Sequence, residues 1–208
     1  MKNVLRSLLL ILTFSLISCG GNDDNIKEPA TLRVTVTQSL LNGGAKVNNA
    51  TVLLYKSIED LKSNKNKVAA GVTNEEGIVV FNSGLEYNTD YYLDVESGCI
   101  SNYLSIALES TGDYVANITE GVGIVDFSVQ ADETNAVVIE NATNNGYMVK
   151  LYDVEIGIIK ANETITLDYI PTYWSIVSFI DTATGEELSS IDNDIKSVCG
   201  ETKKYVIN

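Results

Sequence analysis

The stretch Thr31-Leu32-Arg33-Val34-Thr35-Val36-Thr37 decides the fold, because its apolar and polar side chains alternate at every position. Successive side chains of a β-strand point to opposite faces, so the three aliphatic side chains enter a core while the arginine and the threonines face water. The alternation therefore predicts a half-buried strand that begins directly after residue 30.

More short strands follow along the chain, separated by turn signals rich in Gly and Asn. The apolar segments are Ala50–Tyr55, Val68–Thr73, Ile78–Phe81 and Asp90–Val95, and the turn signals are Asn42-Gly43-Gly44 and Asn74-Glu75-Glu76-Gly77. Ile58–Lys65 has the composition of one or two helical turns. Short strands at even spacing predict a β-sandwich over residues 31–97.

A strand, a turn with Gly, a strand that ends in an aromatic residue and a Tyr-rich strand follow one another in this region. The segments that carry the pattern are Ala45–Tyr55, Val72–Phe81, Leu85 and Tyr91–Val95. The pattern resembles prealbumin-like modules, a group that includes transthyretin-like, carboxypeptidase-regulatory-like and Cna-B-type domains. Cna-B-type domains often form an internal Lys–Asn bond from the first strand, but that strand contains Arg33 and no lysine here, so no such bond is predicted.

The sequence pattern of residues 134–208 predicts a second small β domain. Its apolar segments are Ala136–Ile139, Tyr147–Tyr152, Asp153–Ile159, Thr164–Leu167, Tyr173–Ile180 and Lys203–Ile207, with turn signals at 144–146 and 182–186. Between the two units, residues 98–133 contain the candidate strands Asn102–Leu108 and Ile124–Val129, which either complete the first sandwich or bridge to the second unit. The predicted fold class is all-β, with two small β-sandwich-like domains of which the first is prealbumin-like.

The N-terminal segment has the layout of an export signal. Lys2 and Arg6 precede a mostly apolar run, Ser7–Ile17, which is shorter than the about 20 residues of a membrane-spanning helix. The run ends in Leu16-Ile17-Ser18-Cys19, which resembles a bacterial lipobox. The resemblance implies that residues 1–18 are a signal peptide and that Cys19 is lipidated.

Residues 19–30 are polar and Gly-rich, which is typical of a flexible tether. Gly20 follows the cysteine in place of the aspartate that favours retention in the inner membrane, and Asn22-Asp23-Asp24 resembles the acidic export signal of surface lipoproteins. These features predict a lipid-anchored protein of the outer membrane that is exposed on the cell surface.

Cys99 and Cys199 are the two cysteines outside the lipobox. In an exported chain such a pair indicates a disulfide, which would close a loop of about 100 residues and contribute about 4 kcal/mol. Two separate thiols are the alternative, because the sequence does not show whether the Cα atoms approach within about 7 Å.

Composition excludes several classes of function. The chain has no histidine, which rules out Ser-His-Asp and Cys-His nucleophile systems and the usual histidine ligand sets for zinc and iron. It carries 28 Asp and Glu against 14 Lys and Arg, a formal net charge of −14, which disfavours nucleic acid as a partner. We expect no catalytic centre, no cofactor and no metal.

Two short segments are candidate sites. Asp192-Asn193-Asp194 begins like a calcium loop, but Lys196-Ser197 lacks the ligand and the glycine that an EF-hand needs next, so a polar surface loop is the interpretation. Tyr169, Tyr173 and Trp174 form the densest aromatic cluster. Their rings either stack on a sugar or fill a core.

These observations predict a non-catalytic surface lipoprotein that acts as a binding or adhesion module. Its partners would be the membrane, through the lipid at Cys19, and a glycan or an envelope protein as ligand. The alternative function is a structural subunit of a larger envelope or fimbria-like assembly.

Overall fold

The computed structural model describes residues 29–172, 177–191 and 198–208. The strands in these ranges are β1 (Thr31–Gln38), β2 (Thr51–Tyr55), β3 (Ala69–Val72), β4 (Ile78–Phe81), β5 (Thr89–Ser97), β6 (Ile100–Ser101), β7 (Val115–Ile118), β8 (Ile124–Asn141), β9 (Tyr147–Leu151), β10 (Val154–Ile159), β11 (Thr164–Pro171), β12 (Val177–Asp181), β13 (Glu187–Ile191) and β14 (Thr202–Ile207). The α-helices are α1 (Ile58–Ser63), α2 (Tyr103–Ala107) and α3 (Thr111–Tyr114), and a short 3-10 helix spans Leu40–Asn42. The all-β fold class that the sequence predicts is confirmed.

The first sandwich places β4, β1 and the first half of β8 in one sheet, and β3, β2, β5 and β7 in the other. β1 runs parallel to β8 along its whole length, from the pair Thr31 and Ile124 to the pair Gln38 and Ala131. The aliphatic side chains of β1, at Leu32, Val34 and Val36, are fully buried, as the alternation predicts. Their core also contains side chains of β2, β5 and β7, so it lies between the two sheets.

Three short helices pack against the first sandwich around a separate apolar cluster formed by Tyr55, Leu61, Ile106 and Tyr114. The helix α1 starts where the Ser57 hydroxyl accepts a hydrogen bond from the Asp60 backbone N–H at 3.1 Å. Asn64 ends it in the left-handed conformation. This helix is the one that the sequence predicts over Ile58–Lys65.

Residues 102–108 do not form the strand that their pattern suggests, because they contain α2. Leu104 is buried in the core of the second sandwich and Ile106 in the helical cluster, so this helix carries apolar side chains toward two cores. The resulting alternation imitates a strand.

The 18-residue strand β8 belongs to both sandwiches. Its second half pairs antiparallel with β11 and parallel with β14, while β10, β9, β12 and β13 form the opposing sheet. The predicted boundary between residues 133 and 134 falls inside β8. Residues 98–133 supply β6, β7 and the first half of β8, so they complete the first sandwich.

A disulfide joins the sandwiches where β8 passes from one to the other. Cys99, in the turn between β5 and β6, is bonded to Cys199, which precedes β14, and their Cα atoms are 5.6 Å apart. This is the pairing that the sequence predicts.

β1 and β14 are both parallel to β8, the former along its first half and the latter along its second. The start of β1 and the end of β14 therefore lie at opposite ends of β8, which is about 60 Å long at the usual rise per residue. In the described ranges none of the helices has both the length and the hydropathy of a membrane-spanning segment.

Candidate ligand-binding cleft

A cleft of about 450 Å³ opens where the first sandwich and its helices meet the second sandwich. This volume is within the range of sites that bind small ligands, about 300 to 1,000 Å³. Its lining comes from α1, β5, the β6–α2 segment, β10 and β11: Leu61, Lys62, Asn64, Asp94, Glu96, Ser101, Tyr103, Ile106, Ala107, Val154, Glu155, Ile156 and Tyr169.

Two carboxylates of β5 lie side by side in the cleft. Asp94 and Glu96 are two positions apart in the strand, so their side chains emerge on the same face. Desolvation, followed by repulsion from Glu96, raises the pKa of Asp94 to about 6, although Lys67 acts in the opposite direction. Asp94 is therefore a group that changes charge near pH 6.

The main chain beside these carboxylates is held by Asn102, which is 1% exposed. Its side-chain amide donates a hydrogen bond to the Leu93 carbonyl, and its side-chain oxygen accepts one from the Val95 N–H, both at 2.9 Å. These two bonds replace a strand partner at this point of β5 and leave the Asp94 side chain directed into the cleft.

Two tyrosine rings form the apolar part of the cleft. The ring centroids of Tyr103, on α2, and Tyr169, on β11, are 5.7 Å apart, and the ring planes make an angle of 33°. The Tyr169 hydroxyl donates a hydrogen bond to Glu96 Oε1 at 3.0 Å. The hydrogen bond to Glu96, and after it burial, raises the pKa of Tyr169. Burial raises the pKa of Tyr103. Both hydroxyl groups are therefore protonated at neutral pH.

The backbone at Tyr169 has an unusual conformation. Its φ is 62°, a left-handed value that bulky side chains rarely adopt, and it lies in the bulge of β11 between Leu167 and Ile170. A bulge redirects the side chains of a strand, and here it accompanies the placement of the Tyr169 hydroxyl beside Glu96. Strained backbone conformations of this kind are concentrated at functional sites.

Ser101 adds a buried hydroxyl to the lining. It is 2% exposed, and its oxygen accepts a hydrogen bond from the Tyr103 backbone N–H at 3.1 Å. Among the described residues no acceptor is found for the proton of this hydroxyl. The cleft therefore combines carboxylate acceptors with a hydroxyl donor.

Of the aromatic residues predicted as a binding cluster, Tyr169 lies in the cleft, whereas Tyr173 and Trp174 are outside the described residues. Cys19, Asp192 and Asp194 also lie outside them. In the described ranges no group of three or more Cys, Asp or Glu residues is arranged to hold a metal ion.

Sequence reasoning missed Asp94, Glu96 and Tyr103. Asp94 lies in the predicted strand Asp90–Val95 and Glu96 directly follows that strand, so their alternate spacing was the available signal for a shared face. Two other acid pairs have the same spacing, Asp153 with Glu155 and Asp192 with Asp194, so the spacing alone does not single out Asp94 and Glu96. The tertiary arrangement that brings Tyr103 and Tyr169 into the same cleft does.

No protein family matches this chain, and no curated protein is similar to it. Solved structures with a related arrangement include the Bacillus anthracis TIE protein, at 15% identity over 85% of this chain with a TM-score of 0.35. The chain spans 33% of the length of that protein.

Two further solved structures are covered by this chain over nearly their whole length. One is the shaft pilin SpaA from Lactobacillus rhamnosus GG, at 9% identity over 86% of this chain and 96% of the pilin, with a TM-score of 0.32. The other is a protein from Bacteroides thetaiotaomicron described as a candidate polysaccharide-binding protein, at 6% identity over 85% of this chain and 90% of that protein, with a TM-score of 0.33. The chain itself is a β-sandwich protein with a ligand-sized cleft.

Proposed function

We propose that this protein is a lipid-anchored binding or adhesion module of the cell surface that holds a glycan in its cleft and has no catalytic centre. The observation that carries the proposal is the pair of Tyr103 and Tyr169 beside Asp94 and Glu96 in one concave site. Tyrosine faces stack on the apolar face of a sugar ring, and carboxylates accept hydrogen bonds from its hydroxyl groups.

The hydrogen bond between Tyr169 and Glu96 favours binding over catalysis. Glycoside hydrolysis uses two carboxyl groups on opposite sides of the scissile bond, one to protonate the leaving group and one to attack or activate water. Asp94 and Glu96 instead lie on one face of β5, and Glu96 orients the ring of Tyr169. We interpret this pair as part of a preformed ligand surface.

The fold separates the cleft from the point where the predicted tether enters. The tether joins β1 at Thr31, which pairs with Ile124 at the start of β8. Tyr169 lies between Leu167 and Ile170, which pair with Val137 and Asn135. The two points are about 12 residues apart along β8, or about 40 Å, so an anchored protein would hold the cleft away from the membrane.

The experiment is a glycan array probed with the purified protein and with Tyr169→Ala and Tyr103→Ala. We expect the protein to retain one or more glycans and each variant to lose at least tenfold in affinity. Tyr152→Ala is the control, because Tyr152 also has a left-handed φ, of 54°, but does not line the cleft.

An array on which no glycan is retained by the folded protein would contradict the proposal. Release of new reducing ends from a retained glycan would contradict the absence of catalysis.

A structural subunit of an envelope or fimbria-like assembly is the second candidate function. The observation in its favour is the placement of the start of β1 and the end of β14 at opposite ends of β8, which suits a spacer. Co-purification of one fixed partner from native membranes would support this function, whereas a solitary monomer that binds a glycan would support the first.

A further inference from the structure

We infer that the cleft selects glycans that carry a free amino group, an inference that rests on the proposed glycan-binding function and specifies the class of ligand. It follows from the charges on the lining, from the absence of an internal cation beside the β5 carboxylates, and from the shape of the tyrosine pair. Each of these is a property of the described residues.

The lining is acidic. Asp94, Glu96 and Glu155 contribute three carboxylates, against the single ammonium group of Lys62. Lys62 forms an ion pair with Glu109, at 3.5 Å, which lies outside the cleft. A sulfated or uronic-acid sugar would therefore be repelled, because like charges at close range in a partly desolvated site are unfavourable.

The β5 carboxylates have no cation of their own. Among the described residues no Lys or Arg nitrogen lies within 4.0 Å of Asp94 or Glu96, and Lys67 acts on Asp94 only at longer range. Two adjacent carboxylates repel each other, and burial of Asp94 disfavours its charged form. An ammonium group placed between them would offset both costs by its opposite charge, which a neutral hydroxyl does not.

The shape of the cleft favours a sugar as the bearer of this ammonium group. The two tyrosine rings, whose centroids are 5.7 Å apart and whose planes are inclined by 33°, form the aromatic part of the lining, against which a pyranose ring packs more fully than the narrow chain of a lysine. Tyrosine faces also attract cations. The Ser101 hydroxyl, which accepts from the Tyr103 N–H, has a proton to donate to a sugar oxygen.

The test compares two disaccharides of the same linkage that differ in charge. We would titrate the full protein by calorimetry at pH 7 with the β-1,4-linked dimer of glucosamine and with its di-N-acetylated form. We expect the free amine to bind at least tenfold more tightly and its affinity to fall as the salt concentration rises.

Asp94→Asn should weaken binding of the glucosamine dimer at least tenfold, while Asp90→Asn should leave it unchanged. Asp90 is the matched control, because it is on β5 and on the same strand face but outside the cleft, where it accepts a hydrogen bond from Asn117 at 2.6 Å. Both variants lose the same charge, so equal losses of affinity would overturn the inference.

Three other results would overturn it in distinguishable ways. Equal affinity for the acetylated dimer would remove the amine requirement and leave the glycan-binding function standing. Trilysine that binds as tightly as the glucosamine dimer would indicate a basic peptide as the ligand. If the protein binds neither dimer but retains other glycans on the array, the preference for amino sugars is wrong and the glycan-binding function still stands.

Discussion

Cys99 and Cys199 are bonded across the point where β8 leaves the first sandwich and enters the second. The segments that carry Cys99 and Cys199 are both hydrogen-bonded there to Thr134 of β8. The Thr134 N–H and hydroxyl each donate a hydrogen bond to the Cys99 carbonyl at 2.7 Å, and the Thr134 carbonyl accepts one from the Gly200 N–H at 3.0 Å. The disulfide and these hydrogen bonds therefore hold both segments against β8, the strand that the two sandwiches share.

Loss of this disulfide should destabilise the whole protein. A sequence separation of 100 residues corresponds to about 4 to 5 kcal/mol in the chain-entropy model, so Cys99→Ser with Cys199→Ser should lower the free energy of unfolding in urea by about that amount. Mass mapping without reductant should recover the linked peptides. Two thiols that react with an alkylating agent in the folded, unreduced protein would contradict the pairing.

The carboxylate of Asp94 should make stability depend on pH. Because its pKa is about 6 in the folded protein and about 4 when unfolded, the folded state binds the proton more tightly, and stability falls as the pH rises from about 4 to about 6. Asp94→Asn should therefore raise the free energy of unfolding by about 1 to 3 kcal/mol at pH 7.5 and have little effect at pH 4. Thermal melts of this variant and of Asp90→Asn at both pH values provide the measurement. The same gain at pH 4 and pH 7.5 would show that the charge of Asp94 is not its cause.

The left-handed backbone at Tyr169 should cost stability in any residue with a Cβ atom. Tyr169→Gly and Tyr169→Ala both remove the ring and its hydrogen bond to Glu96, so they differ by the alanine Cβ, which is unfavourable at this left-handed φ. We expect the glycine variant to be more stable than the alanine variant by about 1 kcal/mol, and both to lose glycan binding. Equal urea midpoints for the two variants would be incompatible with strain at this position.

Gly77 should be far less tolerant of substitution than Gly84. Both have left-handed φ, 72° and 73°, but a Cβ at Gly77 would lie 2.6 Å from the Val36 carbonyl oxygen, whereas a Cβ at Gly84 meets no atom within 4 Å. Gly84→Ala should cost about 1 kcal/mol and Gly77→Ala about 3 kcal/mol or more, because the latter must also displace β1. The difference in melting temperature between the two variants isolates the steric cost at Gly77. Equal melting temperatures would mean that β1 moves without cost.

Cys19 should carry lipid, as the segment Leu16-Ile17-Ser18-Cys19 predicts. Cells that express Cys19→Ala should contain a protein that no longer incorporates a palmitate analogue and no longer partitions with membranes, since several acyl chains are needed for stable anchoring. Asp90→Asn, which keeps Cys19 and the disulfide, is the control and should be labelled as well as the unmodified chain. Membrane association and labelling that persist without Cys19 would rule out this anchor.

The strands β1 to β5 of the first sandwich were predictable because their pattern is local, whereas β6 and β7 were not predicted. Leu32, Val34 and Val36 alternate with polar residues, and the structure buries all three. The continuity of β8 was not predictable, because the first half of the strand depends on β1 and the second half on β11 and β14. These partners are distant in sequence, so nothing near Thr134 indicates that one strand serves two sandwiches.

The cleft was only partly predictable for the same reason. The sequence singled out Tyr169 as an aromatic candidate, but its ring reaches β5 through a bulge with a left-handed φ, which no residue nearby signals. Tyr103 lies on a helix in a stretch that alternates like a strand. The desolvation of Asp94 results from tertiary packing, which composition does not contain.

The parallel pairing of β1 with β8 determines how the molecule responds to mechanical load. Tension applied at Thr31, from a surface attachment, would pull along the axis of β1 while its partner strand is held by the rest of the first sandwich. The ladder of hydrogen bonds from Thr31 to Gln38 would then be loaded in shear, all at once, and would not open one bond after another. In the surface-attached protein that we propose, this geometry would give resistance to unfolding under load without any increase in equilibrium stability.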